Sequence, residues 1–212
     1  MNIVVAGIHT GIGKTICSAV LAEALQCDYW KPVQAGNLEE SDSVFVANNI
    51  ANTTTVIHKE AYQLTKAASP HWAAKEDGVE INLETLRLPN TTNTLVIESA
   101  GGIMSPLSNT LLNIDMMKYF GLPVVVVSNN YLGSINHTLL TVQALRNAKV
   151  PIIGLVFSGE EVGETRRFII DYTGVPLLFS IPQLKSINKE AILKVAAKVS
   201  QELKASLNGY TG

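Results

Sequence analysis

The feature that most restricts the fold of this chain is a glycine-rich loop near its amino terminus. The segment AGIHTGIGKT, residues 6–15, follows an apolar run at residues 3–5 and precedes a helical pattern. A strand, a glycine loop and a helix that begins with Lys-Thr are typical of a phosphate-binding loop, or P-loop, because backbone amides, the helix dipole and the lysine all attract phosphate. Lys14 is therefore predicted to contact phosphate, and Thr15 to offer its hydroxyl to Mg²⁺.

The loop is one residue longer than the commonest P-loop. That motif has about four residues between its first glycine and Gly-Lys-Thr, which would require glycine where this chain has Ile8. Gly7 stands one residue earlier, so five residues separate it from Gly13. We interpret the segment as a widened phosphate site, because the extra residue removes no donor. A tight glycine turn with a chance lysine is the structural alternative.

Short apolar runs along the rest of the chain predict strands of a parallel sheet that is covered on both faces, since such strands lose the alternation of polar residues. Helical patterns lie between them, which favours a doubly wound α/β fold of the P-loop NTPase type in one domain over residues 1–212. Ligands of such sheets bind beyond the carboxyl ends of the strands. The predicted strands are 3–6, 29–31, 94–97, 123–127, 152–157 and 177–181, and the predicted helices are 14–25, 134–148 (with Ser134 as N-cap) and 188–207 (ended by Gly209).

The segment 51–89 shows no regular pattern. It contains SPHWAAKEDG, and we expect a long excursion over the sheet that can carry substrate-specific loops.

Composition and charge narrow the class of partners. The formal charge of −2 gives no electrostatic reason to expect nucleic acid or an anionic membrane. No apolar run reaches membrane-spanning length and no secretory signal is visible, so we expect a cytoplasmic protein. The hydrophobic content of 47% is compatible with a subunit interface. Cys17 and Cys27 form no disulfide framework, and the four histidines show no metal-binding spacing: His9, His58, His71 and His137.

Two further segments place charged side chains where a P-loop enzyme needs them. TLVIESAGG puts Glu98 at the end of a buried strand, the arrangement in which a carboxylate helps to hold the metal; a solvated strand-end glutamate is the alternative. WKPVQAG puts Lys31 at a strand end, where a surface lysine is the alternative interpretation. Asp42 in ESDS reads as a helix-capping residue or as a second metal-binding carboxylate.

Together these segments resemble the dethiobiotin synthetase family. The similarity follows nearly the whole chain in order, through GIHTGIGKT, YWKPVQAG, ESDS, SPHWAAKEDG, VIESAGG, SPLSN, LGSINHTLLT and IPQL. The combination is far more specific than any single segment. The family's P-loop is similarly lengthened, which accounts for the distance between Gly7 and Gly13.

The resemblance implies that 7,8-diaminopelargonic acid, CO₂ and MgATP are converted to dethiobiotin, ADP and phosphate. One amine captures CO₂ as a carbamate, ATP phosphorylates it to a carbamic-phosphoric anhydride, and the second amine closes a cyclic urea. Such chemistry needs groups that hold the carbamate against the γ-phosphate and neutralise the charge between them. The resemblance implies that Lys31 is the catalytic residue on the carbamate side, and Lys14 is suited to neutralise the phosphate.

The resemblance also implies binding residues and a homodimer in which the start of the GSIN helix holds the substrate carboxylate in the partner's site. The metal would be held by Thr15, Asp42 and Glu98. The nucleotide would contact Gly11, Ile12, Gly13, Lys14, Thr15, Ile16, Asp42, Glu98, Ser99, Ala100, Gly101, Ser158, Pro182, Gln183 and Leu184. The substrate would contact Thr10, Lys31, Ala35, Ser69, Pro70, Gly102, Ser134, Ile135 and Asn136.

Four positions depart from the family pattern. Some members carry an acidic residue in place of Gly11 and a hydroxyl residue in place of Ala35; glycine commonly replaces Ser99, and an asparagine that reads adenine aligns near Ser158. These departures put the base preference and substrate affinity in question.

Two other functions remain open on the sequence. Partition and septum-placement ATPases share the fold branch, but they carry an early lysine in the glycine loop, where this chain has Ile8, His9 and Thr10. A regulatory protein with a decayed site is the third interpretation, and the presence of all the charged residues argues against it.

Overall fold

The computed structural model describes residues 2–208, and the prediction that Gly209 ends the last helix lies outside them. Within the described residues the strands are β1 (Asn2–Gly7), β2 (Asp28–Trp30), β3 (Val33–Ala35), β4 (Ile57–His58), β5 (Tyr62–Leu64), β6 (Leu95–Gly102), β7 (Val124–Asn129), β8 (Ile152–Ser158) and β9 (Leu177–Ile181). Seven of these strands form one parallel sheet in the order β4-β2-β6-β1-β7-β8-β9. The predicted doubly wound α/β fold is confirmed, with β1 at the point where the strand order changes direction.

Two groups of helices accompany the sheet. The helices are α1 (Lys14–Leu25), α2 (Asp42–Asn49), α3 (Pro70–Glu76), α4 (Asn113–Phe120), α5 (Ser134–Asn147), α6 (Gly163–Thr173) and α7 (Lys189–Asn208). Helix α1 packs against α2 and α7, and α5 packs against α6. No helix among residues 2–208 combines the length and the apolar character needed to cross a bilayer.

The central strands are apolar because helices cover the sheet. In β1, residues 3–6 are fully buried, and so are residues 124–127 of β7. Each such valine or isoleucine contributes about 1.5–3 kcal/mol on burial, so these two strands anchor the loops that follow them. The loop between β1 and α1 therefore begins at the end of a rigid, buried strand.

The segment 51–89 is more ordered than its sequence pattern predicted. Strand β3 pairs in parallel with β5 as a separate two-stranded sheet, and α3 packs beside it. A second apolar cluster, which includes Val33, Leu64, Ile81, Leu107 and Met116, lies under these elements. We call β3 together with residues 62–86, which include β5 and α3, the cover. Strands of two or three residues carry no usable periodicity, which is why the pattern missed them.

Two local predictions were wrong. The N-cap of α5 is Gly133, in a left-handed conformation with φ of 104°, and Ser134 is the first helical residue, with no capping hydrogen bond from a side chain. Strand β6 does not end at Glu98 but continues to Gly102, because Val5 of β1 still pairs with Glu98 and Gly7 pairs with Gly102.

Candidate active site

The P-loop connects the carboxyl end of β1 to α1. Gly13 has a φ of 96°, and a side chain there would collide with the hydroxyl of Ser158. The Lys14 ammonium donates a hydrogen bond to the backbone oxygen of His9 at 3.1 Å, so the lysine folds back over the loop. Burial lowers the pKa of Lys14 to about 8, although the carboxylate of Glu98 opposes that shift.

Three oxygen-bearing side chains converge below the loop. The hydroxyl of Thr15 lies 2.9 Å from Asp42 Oδ1 and 2.9 Å from Glu98 Oε1. Asp42 is the first residue of α2, but the N-cap is Ser41, whose hydroxyl accepts from the Val44 amide, so the Asp42 carboxylate is free to face Thr15. A hydroxyl and two carboxylates match the oxygen ligands of Mg²⁺, which is usually held by one or two carboxylates together with substrate phosphates. Thr15, Asp42 and Glu98, the predicted metal ligands, therefore fit a Mg²⁺ ion.

Lys31 is not a surface lysine. It is 5% exposed, its ammonium forms an ion pair with Asp42, and it lies 3.4 Å from Glu98 Oε1. Burial acts to lower the pKa of Lys31, but Glu98 and Asp42 outweigh it and raise the pKa above its usual value. Burial acts to raise the pKa of Asp42, and the charge of Lys31 reverses that shift, so the pKa is lowered. The site thus holds a buried ammonium between two carboxylates.

Glu98 is likewise not a solvated strand-end residue, since it is 1% exposed. Its Oε2 accepts a hydrogen bond from the Tyr29 hydroxyl at 3.0 Å. Burial, followed by the charge of Glu98, raises the pKa of Tyr29 well above the usual value. The raised pKa favours the protonated phenol that this hydrogen bond requires.

A cavity of about 380 Å³ opens beside Lys31, between the P-loop and the cover. The structure brings eight of the predicted binding residues to its wall: Thr10, Lys31, Ala35, Asp42, Ser69, Pro70, Ala100 and Gly101. Gly102 instead lines an adjacent cavity of about 450 Å³, which also contacts Thr10. A small molecule in the first cavity would meet both Lys31 and the loop residue Thr10.

Ser158 and residues 182–184, which are predicted to contact the nucleotide, lie farther along the same edge of the sheet. Pro182 and Gln183 line two neighbouring cavities of about 360 and 540 Å³, and Leu184 lines the larger one. Ser158 ends β8 and is buried against Gly13. Gly11 is exposed in the loop, Ile12 is buried, and Ile16 is half-buried in the first turn of α1.

Some predicted residues are not brought to the 380 Å³ cavity. Ser99 is fully buried, and its hydroxyl has no hydrogen-bond partner among the described residues. Ser134, Ile135 and Asn136 begin α5 and do not line that cavity. Their role toward a second copy of the chain stays a prediction.

Several residues of the site were not predicted from the sequence, among them Tyr29 and Gln34. Tyr29 contacts Glu98, as described above, and Gln34 lines the cavity while its side-chain oxygen accepts from the Asp42 amide at 3.4 Å. The signal was present in YWKPVQAG, where two polar side chains flank Lys31 in buried strands. Only the fold shows that Tyr29 reaches the Glu98 carboxylate and that Gln34 reaches the backbone amide of Asp42.

The chain resembles known proteins in sequence over almost its full length. A family model described as an AAA domain matches residues 1–191. The ATP-dependent dethiobiotin synthetase of Cytophaga hutchinsonii is 45% identical over 92% of this chain and 95% of that protein. The dethiobiotin synthetase of Agrobacterium fabrum is 41% identical over 93% of each chain.

Solved structures add the fold. A ParA family ATPase from Chlorobium tepidum has a TM-score of 0.60 with 15% identity, and the match covers 97% of both chains. The septum site-determining protein MinD of Pyrococcus horikoshii, complexed with Mg-ADP, has a TM-score of 0.58 with 15% identity, over 97% of this chain and 99% of that one. At such identities the likeness establishes the P-loop NTPase fold alone, whereas the sequence relatives, the lengthened loop and the buried lysine agree on one group. The chain belongs to the dethiobiotin synthetase family.

Proposed function

We propose that this protein is an ATP-dependent cyclo-ligase that converts 7,8-diaminopelargonic acid and CO₂ to dethiobiotin, with ADP and phosphate as the other products. The observation that carries the proposal is the 380 Å³ cavity, whose wall joins Lys31 and Thr10 to the cover residues Ser69 and Pro70 beside the P-loop. A substrate held there lies next to the loop that would carry the γ-phosphate. Family membership supports the same activity.

The reaction begins with carbamate formation. One amine of the substrate forms a C–N bond to CO₂ and loses a proton, which leaves a carbamate anion. The ammonium of Lys31 stabilises that anion, because it is buried at the cavity wall and its raised pKa keeps it charged.

The carbamate oxygen then attacks the γ-phosphorus of ATP as the bond to ADP breaks. Lys14 and the amides of the P-loop stabilise the charge on the phosphate oxygens. Thr15, Asp42 and Glu98 would hold Mg²⁺, which when bound neutralises phosphate oxygens as a Lewis acid.

Ring closure releases phosphate. The second amine attacks the carbonyl carbon of the mixed anhydride, the C–O bond to phosphate breaks, and a proton leaves the amine. The phosphate keeps the oxygen that came from CO₂. Strand β3 and residues 67–70, which lead into α3, line one side of the cavity and would shield the anhydride from water there.

We also propose a single domain, a cytoplasmic location consistent with the use of ATP, and a homodimer. The dimer is supported by the exposed side chains of Met104, Leu132 and Leu140 around the start of α5 and the adjacent 450 Å³ cavity.

The activity is tested by incubating the protein with 7,8-diaminopelargonic acid, ¹³C-bicarbonate and MgATP and following the product by mass spectrometry. We expect ¹³C-dethiobiotin and ADP in equal amounts, and no product when diamine, bicarbonate or Mg²⁺ is omitted. ATP hydrolysis that proceeds at the same rate without diamine, and without product, would contradict the proposal.

A further inference from the structure

Tyr29 buries a phenol directly behind the candidate metal site. It lies in β2, pairs with Val96 of β6 and Ile57 of β4, and is fully buried. A buried tyrosine normally finds a hydrogen-bond partner for its hydroxyl. Here the partner is Glu98 Oε2, at 3.0 Å, so the one polar atom of a core side chain is aimed at the site.

The two oxygens of Glu98 have different partners. Oε2 accepts from Tyr29, whereas Oε1 lies 2.9 Å from the Thr15 hydroxyl and 3.4 Å from the Lys31 ammonium. The carboxylate is therefore held from behind by a neutral group of the core, while its front oxygen faces the groups of the site.

A glutamate side chain does not fix this orientation by itself. Its last torsion angle is broad, because rotation of the carboxylate about that bond has no sharp minimum. Strand pairing supplies the missing constraint, since β2 and β6 are neighbours and bring Tyr29 beside Glu98 across 69 residues of sequence. We infer that Tyr29 is a positioning residue, which acts through Glu98 to set the oxygen that Glu98 offers beside Thr15.

This inference rests on the proposed function, because it concerns the same metal site. If Tyr29 only filled the core, Tyr29→Phe would change stability and nothing else. If it positions Glu98, the same substitution weakens the site's response to Mg²⁺ while nucleotide binding without metal is retained.

The experiment is a MgCl₂ titration at a fixed concentration of a non-hydrolysable ATP analogue, with nucleotide affinity read by calorimetry and melting temperature as a check on folding. We expect Tyr29→Phe to need about 10-fold more Mg²⁺ for half of the full effect, the scale seen when a group that orients a metal ligand is removed. Affinity in EDTA should match the wild type. Tyr62→Phe is the matched control, because its hydroxyl bonds to Thr85 and the Glu80 carbonyl in the cover.

A double-mutant cycle separates positioning from packing. In a Glu98→Gln background, Tyr29→Phe should cause no further change in the Mg²⁺ requirement, because the phenol acts through that carboxylate. Tyr29→Phe alone leaves the buried Glu98 carboxylate without the hydroxyl that donates to it. The double variant avoids that cost, because Glu98→Gln removes the negative charge.

An unchanged Mg²⁺ requirement in folded Tyr29→Phe, or an equal shift in both backgrounds, would overturn the inference alone. A wild-type protein whose nucleotide affinity does not respond to Mg²⁺ would overturn the proposed metal site, and this inference with it.

Discussion

Carboxylates lie at the start of β2 and beyond its other end, and their surroundings differ. At the start of the strand, Asp28 is 2% exposed and accepts hydrogen bonds from Val56, His58, Thr91 and Asn93. Both of its oxygens are satisfied by neighbouring donors, and the group joins the strand to two adjacent loops.

At the other end, Asp42 and Glu98 share one ammonium and one hydroxyl, those of Lys31 and Thr15, next to a cavity. Two carboxylates that share one ammonium and one hydroxyl retain oxygen lone pairs that can take a further cation. Burial of a carboxylate therefore does not itself mark a functional site. What distinguishes the second cluster is the excess of acceptors over donors at the edge of a cavity.

The largest effect is expected when the cluster of Asp42, Glu98 and Lys31 is disrupted. Lys31→Ala should lower turnover by about 10²–10³-fold, the scale for loss of one charge-stabilising donor, because the carbamate loses its cation. Affinity for ATP measured by calorimetry should stay within a few-fold of wild type. Lys118→Ala, an exposed lysine on α4, is the matched control and should keep full turnover. Unaltered turnover in Lys31→Ala would remove Lys31 from the chemistry.

The complementary substitution disrupts the hydrogen bonds that the Asp28 carboxylate accepts. Asp28→Asn should lower the free energy of unfolding by about 1–3 kcal/mol, because an amide hydrogen would face groups that already donate. Turnover of the folded protein should be unchanged. Urea denaturation measures the first quantity and the product assay the second. A loss of turnover without a loss of stability would contradict the structural role assigned to Asp28.

Acid provides a further test of the role of Asp28. Burial acts to raise the pKa of Asp28, but hydrogen bonds from Thr91, His58, Val56 and Asn93 outweigh it and lower the pKa. A group with a lowered pKa stabilises the fold fully above its unfolded pKa of about 3.9, and that stability is lost as pH falls through the folded value.

The wild type should therefore lose more stability than Asp28→Asn when the pH falls from about 5 to about 3. Melting temperatures across that range provide the measurement. Equal losses in the two proteins would show that Asp28 titrates alike in the folded and unfolded states.

The smallest expected effect concerns the cavity. Ala35→Ser adds a hydroxyl to its wall and should lower the KM for the diamine by up to about 5-fold, the equivalent of one hydrogen bond of about 1 kcal/mol. Turnover and melting temperature should change little. Ala61→Ser, at an exposed position, is the control. A raised KM in Ala35→Ser would mean that the substrate needs an apolar wall there.

The sequence predicted the central sheet well because its strands are buried on both faces. The apolar runs at residues 3–6 and 177–181 lie within or match β1 and β9, and the helix predicted over residues 14–25 matches α1. These elements carry strong local signals: several apolar residues in succession, or a glycine loop followed by Lys-Thr. The bounds of α2, α3, α4 and α6 were not predicted, because these helices mix polar and apolar residues over 7 to 11 positions.

The charged residues of the site could be predicted from the sequence, but the residues that position them could not. Lys14, Lys31 and Glu98 sit in recognisable segments, and the fold brings the last two within 3.4 Å. The contact between Tyr29 and Glu98 depends on strand order, which no local pattern encodes. Ser134 was misplaced as an N-cap because serine is a common cap, whereas Gly133 takes the left-handed conformation at that position.

The central claim is that the carbamate oxygen attacks ATP within the cavity beside Lys31. It is tested most directly by supplying ¹⁸O-labelled CO₂ in reactions much shorter than its exchange with water and analysing the released phosphate by mass spectrometry. We expect one ¹⁸O atom in each phosphate, because the mixed anhydride breaks between the carbonyl carbon and the bridging oxygen, which stays with phosphorus. Phosphate without ¹⁸O, formed together with dethiobiotin, would contradict it.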